Sequence, residues 1–351
     1  MSVRRALPWV LLAAVVGFIA WKLHTSHFDW TSFARSLRTA DLKLIILATL
    51  VIYSNNLFRA MRWAVFLRPA LRASGKSRIH WWNLLGSQFI GFAGLAIFGR
   101  IGELIRPLLV ARRTGLTFSS QVAVVTVERV FDLGAFAILF SLNLLLAPNL
   151  QTLPYHERFH TVGYVIAALT LVIGVFVAGV RLAGTFVASA MARSIGLFSK
   201  SAGAATSEKI LAFRDGLNVI DSLTDFVLVA GLSLALWATI AFSYVLVLKA
   251  FPPPVHDLTI SHTLVMMGFS VVGGIVQLPG VGGGTQVGTI SALTLLFGIP
   301  KELAVSAGLL VWLVTNMTVI LPGLIYAKIE GISLGQMARG SEAAEEQIIS
   351  K

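Results

Sequence analysis

Arginines set among carboxylates and glycines, inside stretches apolar enough for lipid, are the part of this sequence equipped for chemistry. One group reads Gly99-Arg100-Ile101-Gly102-Glu103-Leu104-Ile105-Arg106-Pro107, and a second reads Glu128-Arg129-Val130-Phe131-Asp132. Upstream, Asn55, Arg59 and Arg62 stand at i, i+4 and i+7 and share one helical stripe. Arg100, Glu103 and Arg106 are spaced by threes, so Glu103 is placed to pair with either arginine on a helix beginning near Gly102. Glu128 and Asp132 are four apart, on one helix face. Setting Arg59, Arg62, Arg100, Arg106 and Arg129 against Glu103, Glu128 and Asp132 leaves about two positive charges over, and a planar guanidinium fork binds an oxyanion such as phosphate through two N–H groups. The bland reading is a closed ion-pair network that staples helices. Arg62 has a further option, reaching out to the membrane interface.

The surroundings of these residues must be lipid. Of the 351 residues, 56% are hydrophobic and 13% charged, and the mean hydropathy is +0.82. A soluble chain of this length needs more charge on its surface. An apolar run of roughly 20 residues crosses a bilayer as a helix. A charge in hydrocarbon costs a few kcal/mol unless it is paired or faces water, so the charged stretches imply an enclosed polar site. The net charge of +12 comes from Arg and Lys in short loops between apolar runs, where it sets orientation and does not signal nucleic acid. The absence of cysteine excludes disulfides and thiolate ligands, and the scattered histidines point to no metal; no cofactor is expected.

The apolar runs order the chain as an all-α, polytopic helical membrane protein. An uncleaved first span is expected at 7–21 behind Arg4 and Arg5, and a second at 42–67. Arg59 lies about eight residues from the inner end of that second span, roughly 12 Å deep. Arg129 sits at similar depth in its own span. Further spans are expected at 119–147, 161–180, 227–249 and 303–326, with amphipathic helices on the membrane between 181 and 225. The stretch 81–110 is apolar but flanked by Arg68, Arg72, Lys76 and Arg78 before it and by Arg112 and Arg113 after it. Both flanks prefer the cytoplasm, so the stretch reads as a re-entrant hairpin bending near Phe98–Gly102. Residues 260–299 form a second hairpin from the other side, broken by Gln277-Leu278-Pro279-Gly280-Val281-Gly282-Gly283-Gly284-Thr285-Gln286.

The expectation is thus about six full spans and two opposed hairpins, an arrangement expected of inverted repeats. A plain bundle of about eight spans, with glycine for close packing, is the alternative. Residues 1–330 read as one membrane domain and 331–351 as a short cytoplasmic tail. Both termini fall on the cytoplasmic side of a cell (inner) membrane. In the last span, Pro322 and Asn316 are expected to give a kink and a packing hydrogen bond. At the glycine break, Pro279, Gly280, Gly282 and Gly283 let backbone N–H groups converge on a ligand, and a half-helix starting near Gln286 points its positive end inward.

Together these motifs resemble the lysylphosphatidylglycerol synthase transmembrane-region family of flippase-like membrane proteins. The likeness rests on Gly99–Leu109 with Arg112, Arg113 and Gly115, on Glu128–Asp132, and on Leu278–Gly283, and it spans about residues 5–330. The chain departs from the usual pattern at Phe98, where the family often has Pro, and at Gln286, where it often has Glu, a potential proton carrier. Bifunctional members carry their synthase portion as a separate soluble domain, for which this chain has no room. The resemblance therefore implies translocation and not lysyl transfer. The expected partner is a membrane lipid with an anionic or polyprenyl-phosphate-linked headgroup, contacted by Arg59, Arg100, Arg106 and Arg129 and oriented by Glu103, Glu128 and Asp132. A membrane enzyme acting on a lipid phosphate and a transporter of a soluble organic anion are the competing readings.

Overall fold

Side-chain caps fix where the helices begin, and glycine and proline fix where they break. The structure, a computed structural model, describes residues 28–336 except 152, 154, 155, 198, 218, 276, 279–281 and 334. The span expected at 7–21 and the tail beyond 336 lie outside the described residues. Asp29 accepts from the amides of Thr31 and Ser32 to open α1 (Trp30–Arg38), and Asp41 accepts from Lys43 to open α2 (Leu42–Phe66), which leads into the short α3 (Arg68–Ala73). Next come α4 (Trp82–Phe98), a 3-10 turn (Gly99–Leu104) and α5 (Ile105–Thr114). Thr117 caps α6 (Phe118–Leu146).

The expected span at 161–180 is part of a longer helix, α7 (His156–Gly196), bent at Ala183, where φ is −135° and ψ 42°. Apolar character fades after residue 180 but helix propensity does not, so the helix continues through the bend and packs on α8 (Lys200–Leu217). Ser222 caps α9 (Leu223–Lys249), and Thr259 caps α10 (Ile260–Gly273). A two-residue antiparallel ladder, β1 (Gln277–Leu278) with β2 (Gly282–Gly283), turns the chain into α11 (Gly284–Ser291) and a π-helical turn at Ala292–Leu296. The chain ends its described part with α12 (Lys301–Trp312), a second π-helical turn (Leu313–Met317) and α13 (Ile320–Ile329).

Both expected hairpins are present, and they open to opposite faces. Lys76 Nζ, ahead of the first, donates to the Thr114 and Gly115 carbonyls behind it at 2.9 and 2.7 Å. The same face gathers the Arg113–Glu330, Arg68–Asp225 and Arg72–Asp221 ion pairs, at 2.6, 2.5 and 3.0 Å. At the other face Asp41 N donates to the Ala250 carbonyl at 2.8 Å, and Asn143 reaches the Ser261 carbonyl at 3.1 Å. There the second hairpin begins and ends together, with the His262 and Phe297 rings 5.2 Å apart. Among the described residues, four helical stretches are long and apolar enough to cross a membrane: Leu42–Ala73, His156–Gly196, Leu223–Lys249 and Lys301–Ile329. The 29-residue α6 runs between the same two faces with Glu128, Arg129 and Asp132 along it. The protein is an all-α, multi-pass membrane protein, and the plain eight-span bundle is not its arrangement.

The two halves repeat in inverted orientation. Each consists of a long helix, a hairpin and a 29-residue closing stretch: α2, α4–α5 and α6 in one, α9, α10–α11 and α12–α13 in the other. The leading helices pack antiparallel, with Asn55 Nδ2 on the Leu236 carbonyl at 3.0 Å and Ser243 Oγ on the Ala48 carbonyl at 3.1 Å. Each hairpin packs on the closing stretch of the opposite half, α4 on α13 and α10 on α6. One apolar core surrounds each hairpin, with Trp63, Phe66, Leu84 and Val127 in the first and Met266, Leu293, Ala307 and Val247 in the second. Pro322 has no N–H for the carbonyl four residues back, and Tyr53 Oη donates to that Thr318 carbonyl at 2.8 Å instead. Asn316 bonds within its own turn, to the Trp312 carbonyl at 3.3 Å.

Candidate functional site

Halfway through the bundle, α2, α4, α5, α6 and α9 converge on a buried ionic group. Glu128 lies ten residues into α6, roughly 15 Å from its start, and so near the middle of a hydrocarbon layer about 30 Å thick. Its carboxylate takes four hydrogen bonds. Oε1 accepts from Arg62 at 2.6 Å and Arg106 at 3.1 Å; Oε2 accepts from Arg106 at 2.6 Å and Trp63 Nε1 at 3.2 Å. A carboxylate offers about four acceptor positions, so Glu128 is saturated. One turn on, Asp132 accepts from Arg62 at 2.6 Å, and Ser233 of α9 accepts from the same guanidinium nitrogen at 2.7 Å. Arg62 is fully buried at the centre and does not reach for the interface.

Glycine makes room for this packing. A Cβ on Gly91 of α4 would lie 2.5 Å from the Arg106 Cβ, so only glycine lets α5 close on α4 with Arg106 between them. Arg106 is sandwiched by the Trp63 and Phe92 rings, 4.9 and 5.1 Å from their centroids, and donates to Gln88 at 3.3 Å.

Arg59 differs from the other two. Its Nε donates to Asn55 at 3.1 Å and its guanidinium lies 4.4 Å over the Phe92 ring. Its nearest carboxylate contact is Glu128 at 3.9 Å, too long for a hydrogen bond. Its terminal nitrogens make no hydrogen bond among the described residues, and its side chain is 15% exposed where Arg62 is wholly enclosed. Three guanidiniums therefore share two carboxylates, a surplus of one. Two more buried donors, Arg62 Nε and Gln88 Nε2, also have no partner among the described residues.

The remaining expected residues divide. Glu103 pairs with Arg129 across from the hairpin tip to α6, and not with Arg100 or Arg106 as their spacing implied. That pair is part-exposed, at 26% and 47%, and stands apart from the buried group, so the surplus is smaller than the sequence count. The reason lies in α6: Glu128 offers Arg106 a two-point, buried partner, which a neighbour on the same strand of chain does not match. Arg100 lies in the 3-10 turn at the tip, and its side chain is outside what is described. Pro279 and Gly280 are outside the described residues. Gly282 and Gly283 form the ladder, and Gln286 is buried, its Oε1 accepting from the Gly283 amide at 2.5 Å. The helix that follows this bend, α11, packs chiefly on α10 and α12. Trp63, Gln88, Phe92 and Ser233 complete the buried group. Of these, only Gln88 announces itself in the sequence, as a polar residue inside an apolar run.

Long apolar helices, two opposed hairpins and an ionic group buried at mid-depth define a polytopic membrane protein with an intramembrane charged site. The chain belongs to the lysylphosphatidylglycerol synthase TM region family, whose profile matches residues 9–323, nearly its whole length. None of the curated proteins matches it.

Proposed function

We propose that this protein translocates a lipid with an anionic, phosphate-bearing headgroup between leaflets, with the headgroup passing the buried arginines while the tail stays in the bilayer. The observation that carries this reading is Arg59: a half-buried guanidinium held at Nε and over a ring, with no hydrogen bond at its outer fork among the described residues. Such a fork suits the two oxygens of a phosphate. The family's description names a lysylphosphatidylglycerol synthase, which supports a lipid as the substrate class. Translocation is favoured over catalysis because Glu128 has no acceptor position left for a proton or metal, and Asp132 is engaged by Arg62. The face bearing Arg68, Arg72, Lys76 and Arg113 is assigned to the cytoplasm of an inner membrane, with both chain termini on that side. Residues 1–330 act in this reading as one membrane domain.

The test is translocation of a labelled anionic lipid in vesicles containing the purified protein. Arg59→Gln is expected to reduce the rate at least tenfold with the protein still folded, and Arg59→Lys to restore only part, since an ammonium lacks the fork. An unchanged rate in Arg59→Gln would overturn the assignment. Conversion of the lipid to a new product would favour the enzyme reading.

A further inference from the structure

A second polar–apolar site lies at the basic face, outside the buried ionic group. A cavity of about 430 Å³ opens between α2 and α9 under the segment 78–81, within the size range of small-molecule pockets. Its wall toward the helices is apolar: Met61 and Ala64 from α2, Leu228 and Leu232 from α9. Its mouth is basic and aromatic, formed by Arg68, Arg78, His80 and Trp81. Trp81 stacks on Trp82 at 3.6 Å, and Trp82 is 60% exposed, which marks the level of a membrane–water boundary.

The charges at the mouth do not cancel. Arg68 is paired with Asp225 and the nearby Arg72 with Asp221, but Arg78 has no ion-pair partner among the described residues. His80 Nδ1 accepts from the Trp82 amide at 3.4 Å, so in the neutral ring the proton sits on Nε2, which is then a donor. An unpaired guanidinium and an imidazole N–H stand over a pocket whose floor is hydrocarbon. A free phosphate would use the first and waste the second. A lipid uses both.

We propose that this cavity is a binding site for an anionic glycerophospholipid, its phosphate at Arg78 and His80 and one acyl chain along Met61, Ala64, Leu228 and Leu232. The site does not depend on translocation: it binds a lipid at the interface, whatever passes the buried arginines.

Native mass spectrometry of the detergent-purified protein, titrated with dioleoyl phosphatidylglycerol or dioleoyl phosphatidylcholine, tests it. The wild type should retain phosphatidylglycerol in preference to phosphatidylcholine. Arg78→Ala, on an exposed segment where folding is not at stake, should weaken that retention about tenfold, the loss of one charge-assisted contact. Leu232→Trp, which fills the cavity, should do the same. Equal retention of the two lipids, or retention unchanged in both Arg78→Ala and Leu232→Trp, overturns the site. So does a loss confined to Arg59→Gln, which would place the bound lipid in the buried group. A wild type that binds phosphatidylglycerol here but moves no lipid would overturn the translocation reading and leave this site standing.

Discussion

Glu128 is the residue on which the buried group depends, because it alone links three arginines from two other helices. Removing its charge leaves guanidiniums facing one another at mid-bilayer. Breaking a buried pair in this way costs about 3–5 kcal/mol, so Glu128→Gln should lower the unfolding temperature in detergent sharply. Arg59→Gln should leave that temperature near the wild type, since it removes the surplus charge and one hydrogen bond. At the periphery, Asp29 gives a pH signature. The Ser32 and Thr31 hydroxyls hold its carboxyl well below the usual carboxylate range. Its capping contribution is therefore present above the ordinary carboxylate value and lost as pH falls through the lowered one. The difference in unfolding temperature between the wild type and Asp29→Ala should vanish as the pH drops through that window. The identity of the site residues was readable because charge in an apolar run stands out. Their pairing was not: Arg106 finds its partner 22 residues away, across two helices, where local spacing has no reach.

Elements carry the next level of consequence. The first hairpin closes through Gly91, so Gly91→Leu should separate α5 from α4 and lose both stability and translocation. Gly231→Ala on α9, where an added Cβ meets nothing within 4 Å, should be silent in both assays. The break in the last long stretch depends on a borrowed donor. Tyr53→Phe strands the Thr318 carbonyl and should cost about 1–3 kcal/mol, measured by the same thermal unfolding. Both hairpins were legible from sequence, one through its two basic flanks and the other through its glycine run. The continuation of α7 past residue 180 was not, because a change in hydropathy marks where lipid ends and says nothing about where a helix does.

For the molecule as a whole, the absence of cysteine makes orientation directly measurable. Single substitutions Ser74→Cys and Thr117→Cys should label together with a membrane-impermeant maleimide from one side of oriented vesicles. Thr39→Cys and His256→Cys should label from the other. Labelling of Ser74→Cys and Thr117→Cys from opposite sides would mean that the first hairpin is a through-going span.

The inverted halves also differ in one respect that backbone alone conceals. Counted from the start of its leading helix, Tyr244 stands where Trp63 stands, 21 residues in. Thr315 likewise stands where Asp132 does, fourteen residues into its closing stretch. Tyr244 bonds Ser270 at 3.1 Å, so hydroxyls occupy the place that guanidiniums and carboxylates hold in the other half. The scaffold is nearly symmetric and its electrostatics are lopsided, which makes the two mouths of the protein chemically unequal. Turned upside down in the membrane, it would not be the same device.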